Sequence, residues 1–205
     1  MSDASEARLF AAVELPEQLA WSLVGWAREA AREARAQRAG AGLRVLEPAS
    51  LHLTLCFLGG RPADQIEQLV AALEDACGGI SVLELSLGAP VWLPSRTPRA
   101  LAVEIHHGDG ALERLQVAVQ RALSGAAPTR RFRPHITVAR VRPGPGRPAQ
   151  SVLAPTPQAS FSARRVALVR SWLEPQGARY EAQGSVELEP REGPARSSGD
   201  GFPVF

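Results

Sequence analysis

"RFRPHITVAR" (131–140) sets a histidine and a threonine two positions apart inside an apolar run, and "LHLTLCFLGG" (51–60) repeats the pattern with different neighbours. Strand side chains alternate faces, so His135 and Thr137 share one face with Ala139, opposite Ile136 and Val138. His52 and Thr54 likewise lie opposite Leu51, Leu53 and Leu55. The aliphatic face is the natural core side, which leaves each His/Thr pair pointing to solvent or into a cleft. Pro134 disfavours helix at Arg133 and suits the start of a strand, in keeping with this placement. With 4 histidines and five threonines in 205 residues, two such pairs arise by accident about 0.4% of the time.

Working outward, "RLFAAVE" (8–14) reads as a short buried strand, and Pro16 opens a helix running to about Gln37 with Leu19, Leu23 and Trp26 on one side. After the first His-x-Thr strand, Ile66, Leu69, Val70 and Leu73 recur at helical spacing up to Gly78. "ISVLELSLGAPVWLP" and "RALAVEI" read as two strands. "DGALERLQVAVQRAL" reads as a helix with Asp109 as N-cap. The second His-x-Thr strand follows a basic turn, and "FSARRVALVRSWL" with "ARYEAQGSVELE" forms a closing hairpin around "EPQG". The second half thus repeats the first in outline, although no sequence repeat is visible beyond the two motifs. "RPGPGRPAQ" is a loop. The expected organisation is a flexible N-terminus over 1–7, one domain over 8–189 and a disordered tail over 190–205.

Composition narrows the function classes. Hydrophobic residues make up 45% and charged residues 21%, as in ordinary globular proteins. No apolar run is long enough to span a bilayer and the polar start lacks a signal-peptide pattern, so a cytoplasmic location and no membrane partner are expected. Cys56 and Cys77 are too few for a disulfide framework or a zinc site and read as buried free thiols. All 23 basic residues are arginine, which excludes Schiff-base, P-loop and lysyl-adenylate chemistry. A net charge of +2 permits a phosphate-bearing ligand without demanding a long nucleic-acid track. His106 and His107 lack the motif context and read as surface residues at a strand end.

Threonine is not a usual zinc ligand and neither motif supplies a neighbouring His or Cys, so metal chemistry is discounted and no cofactor is expected. Imidazole titrates near neutrality and serves as either base or acid, so two of them can divide general acid–base work. In-line displacement at phosphorus places the entering and leaving oxygens on opposite sides. Two strands related by an approximate twofold would offer one imidazole to each side. Thr54 and Thr137 could then hydrogen-bond the non-bridging oxygens, with an arginine offsetting the developing charge.

"HLTLCFLG" and "RPHITVAR", with the opening "RLFAAVELP" and the late "SWLEPQGARYEAQG", resemble the 2H phosphoesterases, most closely the RNA 2′,3′-cyclic phosphodiesterases also called 2′-5′ RNA ligases. The likeness runs from about Arg8 to Val186. It implies an α+β fold of duplicated, bilobal form, with two antiparallel β-sheets flanked by helices around a central cleft of pseudo-twofold symmetry. By match to the motifs, His52 and His135 are the catalytic pair, and Thr54, Thr137 and Arg140 the phosphate ligands. Phe10, Arg130, Arg131 and Arg133 are candidate RNA contacts, and Tyr180 lies in the closing strand. The implied reaction is hydrolysis of an RNA 2′,3′-cyclic phosphate end, tRNA fragments among the candidates, to a 2′-phosphate. His135 would act as base and His52 as acid in a monomeric enzyme. Family members also run a related ligation, without ATP, to a 2′-5′ linkage. The alternatives are a small cyclic phosphate substrate such as one on ADP-ribose, and a non-catalytic RNA- or nucleotide-binding module.

Overall fold

Strand β1 (Glu6–Glu14) begins two residues before the expected domain start, and Ala7 is already buried. The structure, a computed structural model, describes residues 6–36, 42–142, 154–174 and 177–190. The rest of the expected N-terminal arm, most of the Pro/Gly-rich loop, the centre of the "EPQG" turn and the tail after Pro190 lie outside the described residues.

Helix α1 (Glu17–Ala36) follows Pro16, whose carbonyl accepts the Ala20 N–H at 3.1 Å. Leu19, Leu23, Val24, Ala27 and Ala30 recur at helical spacing and are buried, the apolar stripe that lets a helix lie on a sheet. Trp26 is half-buried and donates its indole N–H to the Ala154 carbonyl at 3.2 Å. Helix α2 (Ile66–Cys77) ends at Gly78 as the spacing predicts. Helix α3 (Ala111–Ser124) differs in its cap: Gly110 holds the N-cap position, and Asp109, one residue further out, accepts the Ala111 N–H at 3.0 Å. No helix among the described residues is long and apolar enough to cross a membrane.

The remaining strands are β2 (Leu43–Val45), β3 (His52–Pro62), β4 (Leu83–Leu93), β5 (Ala100–His106), β6 (His135–Val141), β7 (Ser160–Ala163), β8 (Arg165–Glu174) and β9 (Gly177–Glu187). All their ladders are antiparallel, in the order β7-β4-β5-β6-β3-β1-β8-β9, with β2 also on β6. The two lobes are β3-β1-β8-β9 and β7-β4-β5-β6. They meet at a single register pair, Leu53↔Ile136, so the two expected sheets are continuous through the two His-x-Thr strands. The stretch "FSARRVALVRSWL" is not one strand. β7 pairs with β4 at the outer edge of the second lobe, and after Arg164 the chain crosses to pair β8 with β1 and β9 in the first.

The pseudo-twofold runs deeper than the motifs. In each lobe a strand carrying Ala-Val-Glu, at 12–14 and at 102–104, is joined by a helix to the His-x-Thr strand that it pairs with. Glu14 stands opposite His52 and Ala12 opposite Thr54; Glu104 stands opposite His135 and Ala102 opposite Thr137. Each glutamate is in turn met by an arginine, Arg165 at 3.4 Å from Glu14 and Arg133 at 3.9 Å from Glu104. A three-residue repeat is too short to stand out in sequence, but the shared register makes it a repeat of structure. The helices cross between lobes: α3 packs on β3, and α1 packs on β2 and β6.

Leu53, Leu101, Leu112, Leu115 and Ile136 are fully buried in one core beneath the sheet, each contributing about 1.5–3 kcal/mol by removal from water. Cys56 and Cys77 are buried free thiols, as expected. His106 is exposed at the end of β5, but His107 is not a surface residue. It packs at 12% exposure with Nε2 2.7 Å from Glu113 Oε1.

Candidate active site

A cleft of about 720 Å³ opens on the face of β3 and β6 opposite the aliphatic core. His52, Thr54, His135, Thr137 and Arg140 all line it, so the structure brings together the residues the two motifs single out. Arg140 should not be there by strict alternation, which places Ala139 on that face. Two β-bulges correct the expectation. In β6 the ladder to β5 pairs Thr137 with Ala102 and Ala139 with Leu101, leaving Val138 unpaired in register. The extra residue inverts the alternation beyond it, burying Ala139 and turning Arg140 to the cleft.

The first lobe carries the same bulge at the same place. Thr54 pairs with Ala12 and Cys56 with Ala11, leaving Leu55 unpaired, so Cys56 is buried and Phe57 faces the cleft. Phe57 and Arg140 are therefore counterparts, each five residues after its histidine. One wall presents an exposed aromatic ring, the other a guanidinium. Gly59, also lining the cleft, has φ +71°, a left-handed conformation that favours glycine.

The two histidines are held alike. Nδ1 of His52 lies 2.9 Å from the Ser50 carbonyl, and Nδ1 of His135 lies 2.7 Å from the Arg133 carbonyl, each acceptor two residues before its histidine. A carbonyl only accepts, so Nδ1 carries the proton in both rings and Nε2 is left with the lone pair. Each ring is thereby a base when neutral and, once protonated, an acid at the same atom.

Their surroundings differ. The His52 ring lies 4.7 Å from the Phe10 ring and 5.1 Å, edge-on, from Tyr180. Its pKa is lowered from 6.5 to about 4, chiefly by burial and also by Arg140 and His135, against the opposing hydrogen bond to Ser50. The unfolded chain therefore binds this proton more readily than the native protein. The resulting stability is complete above pH 6.5 and is lost as pH falls toward 4. Across that window chemical denaturation should show wild type losing roughly 3 kcal/mol more than His52→Gln. Superimposable stability curves would contradict this account of the site.

The cleft lining adds residues that the motifs did not reveal. Arg8 and Arg99 join Arg140, Tyr180 closes the His52 side, and among the described residues no Asp or Glu lines the cleft. The site is electropositive and suited to an anion. Phe10 lines the cleft but is 3% exposed, so its contact is with the His52 ring rather than an extended ligand. Arg130, Arg131 and Arg133 are exposed and do not line it; Arg133 is turned to Glu104. Nothing in sequence separated Arg8 and Arg99 from the other arginines, since their role depends on the strands they flank.

The model of the 2′-5′ RNA ligase superfamily matches residues 24–172. The chain belongs to this superfamily. Among its relatives, an RNA 2′,3′-cyclic phosphodiesterase of Thermus thermophilus is 31% identical over 204 residues, 95% of this chain and 96% of its own length. The solved structure of TT0787, also of Thermus thermophilus, superposes with a TM-score of 0.68 at 29% identity, over 90% of this chain and 100% of its own. Escherichia coli LigT, solved with phosphate, gives 0.69 at 25% identity, over 90% of this chain and 99% of its own. The superfamily fold is thus shared across both lobes and the cleft between them.

Proposed function

We propose that the protein hydrolyses RNA 2′,3′-cyclic phosphate ends to 2′-phosphomonoesters by acid–base catalysis between His52 and His135. The observation that carries this reading is the pair of imidazoles with identical Nδ1 anchors, both lining one cleft that holds arginines and, among the described residues, no carboxylate. The names of the relatives support the substrate class, since one is an RNA 2′,3′-cyclic phosphodiesterase and another was solved with phosphate.

In the proposed step water attacks phosphorus, giving its proton to one Nε2 as the bond to O3′ breaks, and the other imidazolium protonates O3′ through Nε2. Thr54 and Thr137 donate to the non-bridging oxygens, and Arg140 offsets the charge that grows on them. The sequence reading made His135 the base, but the environment of His52 favours the reverse. Burial and the nearby cations keep His52 neutral, which suits it to receive the water proton, and His135 then serves as acid. The pH profile is bell-shaped for either assignment, and the leaving group separates the two: a cyclic phosphate analogue with sulfur in place of O3′ needs no protonation on leaving, so it should restore turnover to His135→Ala and not to His52→Ala, and the opposite result would reverse the roles.

The deciding assay is turnover of a short RNA ending in a 2′,3′-cyclic phosphate, with EDTA and without ATP, separating 2′- from 3′-phosphate products. Pure 2′-phosphate is the expected result; absence of turnover overturns the reading. One observation favours a smaller substrate. The basic segment at 130–133 does not line the cleft, so it offers no contact to a phosphate held there. Equal kcat/KM for a 2′,3′-cyclic mononucleotide and for the RNA would support that second reading. Ligation to a 2′-5′ linkage would use the same groups in the same roles, with a 5′-hydroxyl in place of water and O3′ again leaving.

A further inference from the structure

Gln116 is one of two buried polar side chains among the described residues, at 5% exposure on a helix face otherwise made of Leu112, Leu115, Val119 and Leu123. A side chain that needs several hydrogen bonds sits poorly among leucines unless it has a partner. Its amide Nε2 donates to the Leu55 carbonyl at 3.2 Å. Leu55 is the residue left unpaired by the β3 bulge, so the bond falls where the ladder to β1 is interrupted. The second lobe has a matching brace: the bulged Val138 carbonyl accepts the Leu46 N–H at 2.9 Å. Each bulge is thus held from the other repeat, one by α3 and the other by the chain leaving β2.

We propose that Gln116 is a positioning residue for the cleft. Its amide holds the Leu55 bulge that separates the face of His52 and Thr54 from that of Cys56 and turns Phe57 into the opening. Without the donor, β3 gains by relaxing to regular alternation, in which the position two after Thr54 shares its face. Cys56 then replaces Phe57 on the cleft wall. The catalytic consequence rests on the hydrolytic reading above; the structural consequence does not.

The test uses the full-length protein with Cys77→Ala, which leaves Cys56 as its single thiol. Alkylation of Cys56 is compared in Gln116→Leu and in Leu123→Ala, a control that weakens the same helix without touching the bulge. Gln116→Leu should label about tenfold faster than the control at matched stability, and its kcat should fall about tenfold with KM within about threefold. Gln116→Glu adds a signature that a packing role does not give. Its carboxyl donates to the Leu55 carbonyl only when protonated, so protection of Cys56 and turnover should both return as pH is lowered. This variant also decides the matter if Gln116→Leu does not fold. Labelling no faster than in the control, or pH-independent relative to it in Gln116→Glu, overturns the proposal. If wild type turns over no cyclic phosphate, the hydrolytic reading fails and the thiol comparison still judges Gln116.

Discussion

Replacing either His52 or His135 with alanine should lower turnover of a 2′,3′-cyclic phosphate by about 10²–10⁴-fold, the usual worth of a positioned general acid or base. The double variant should be little worse than the poorer single one, because in the proposed mechanism the two imidazoles act on one displacement and losing either uncouples the other. Both rings are anchored through Nδ1 to backbone carbonyls two residues upstream, so neither holds a long-range structural bond that alanine would break. Loss of turnover with unchanged circular dichroism is the expected pair of observations. Near-normal kcat in either single variant would remove that histidine from the mechanism.

Arg140→Ala should cost about 10²–10³-fold in kcat/KM, comparable to removing one preorganised donor from an oxyanion site. Arg140→Lys should recover only part of this, since a point charge replaces a planar fork that can grip two phosphate oxygens. A second readout is independent of substrate. Arg140 is among the groups that lower the His52 pKa, so its removal should raise that pKa from about 4, followed by NMR titration of the imidazole. A His52 titration unchanged by Arg140→Ala would show that the two side chains do not share one electrostatic site.

The division between what was readable in the sequence and what was not follows from the range of the interactions involved. The three helices are written in apolar residues at regular spacing, and the two motif strands in alternation, so both could be placed from local pattern. The bulges could not. A strict period of two put Ala139 beside Thr137, and only the pairing of Leu101 with Ala139 and Ala102 with Thr137 shows that Val138 is the inserted residue. Arg140 was assigned to the cleft from resemblance, while its physical reason lay in a neighbouring strand. β2 and β7, of three and four residues, are too short to carry a period, and they owe their existence to the edges they cover. Arg130 and Arg131 illustrate the converse, a basic cluster in sequence that does not line the cleft.

The ladder between β1 and β8 joins residues 8–13 to residues 166–171, which places a first strand and a very late one side by side. During synthesis the first lobe must therefore wait for its own completion. Until the final hairpin has left the ribosome, β1 has a bare edge and His52 lacks Tyr180. The second lobe, closed by β7, is finished earlier. A chain cut before residue 165 would therefore carry both motif strands while leaving the edge of β1 uncovered and the His52 side of the cleft without Tyr180.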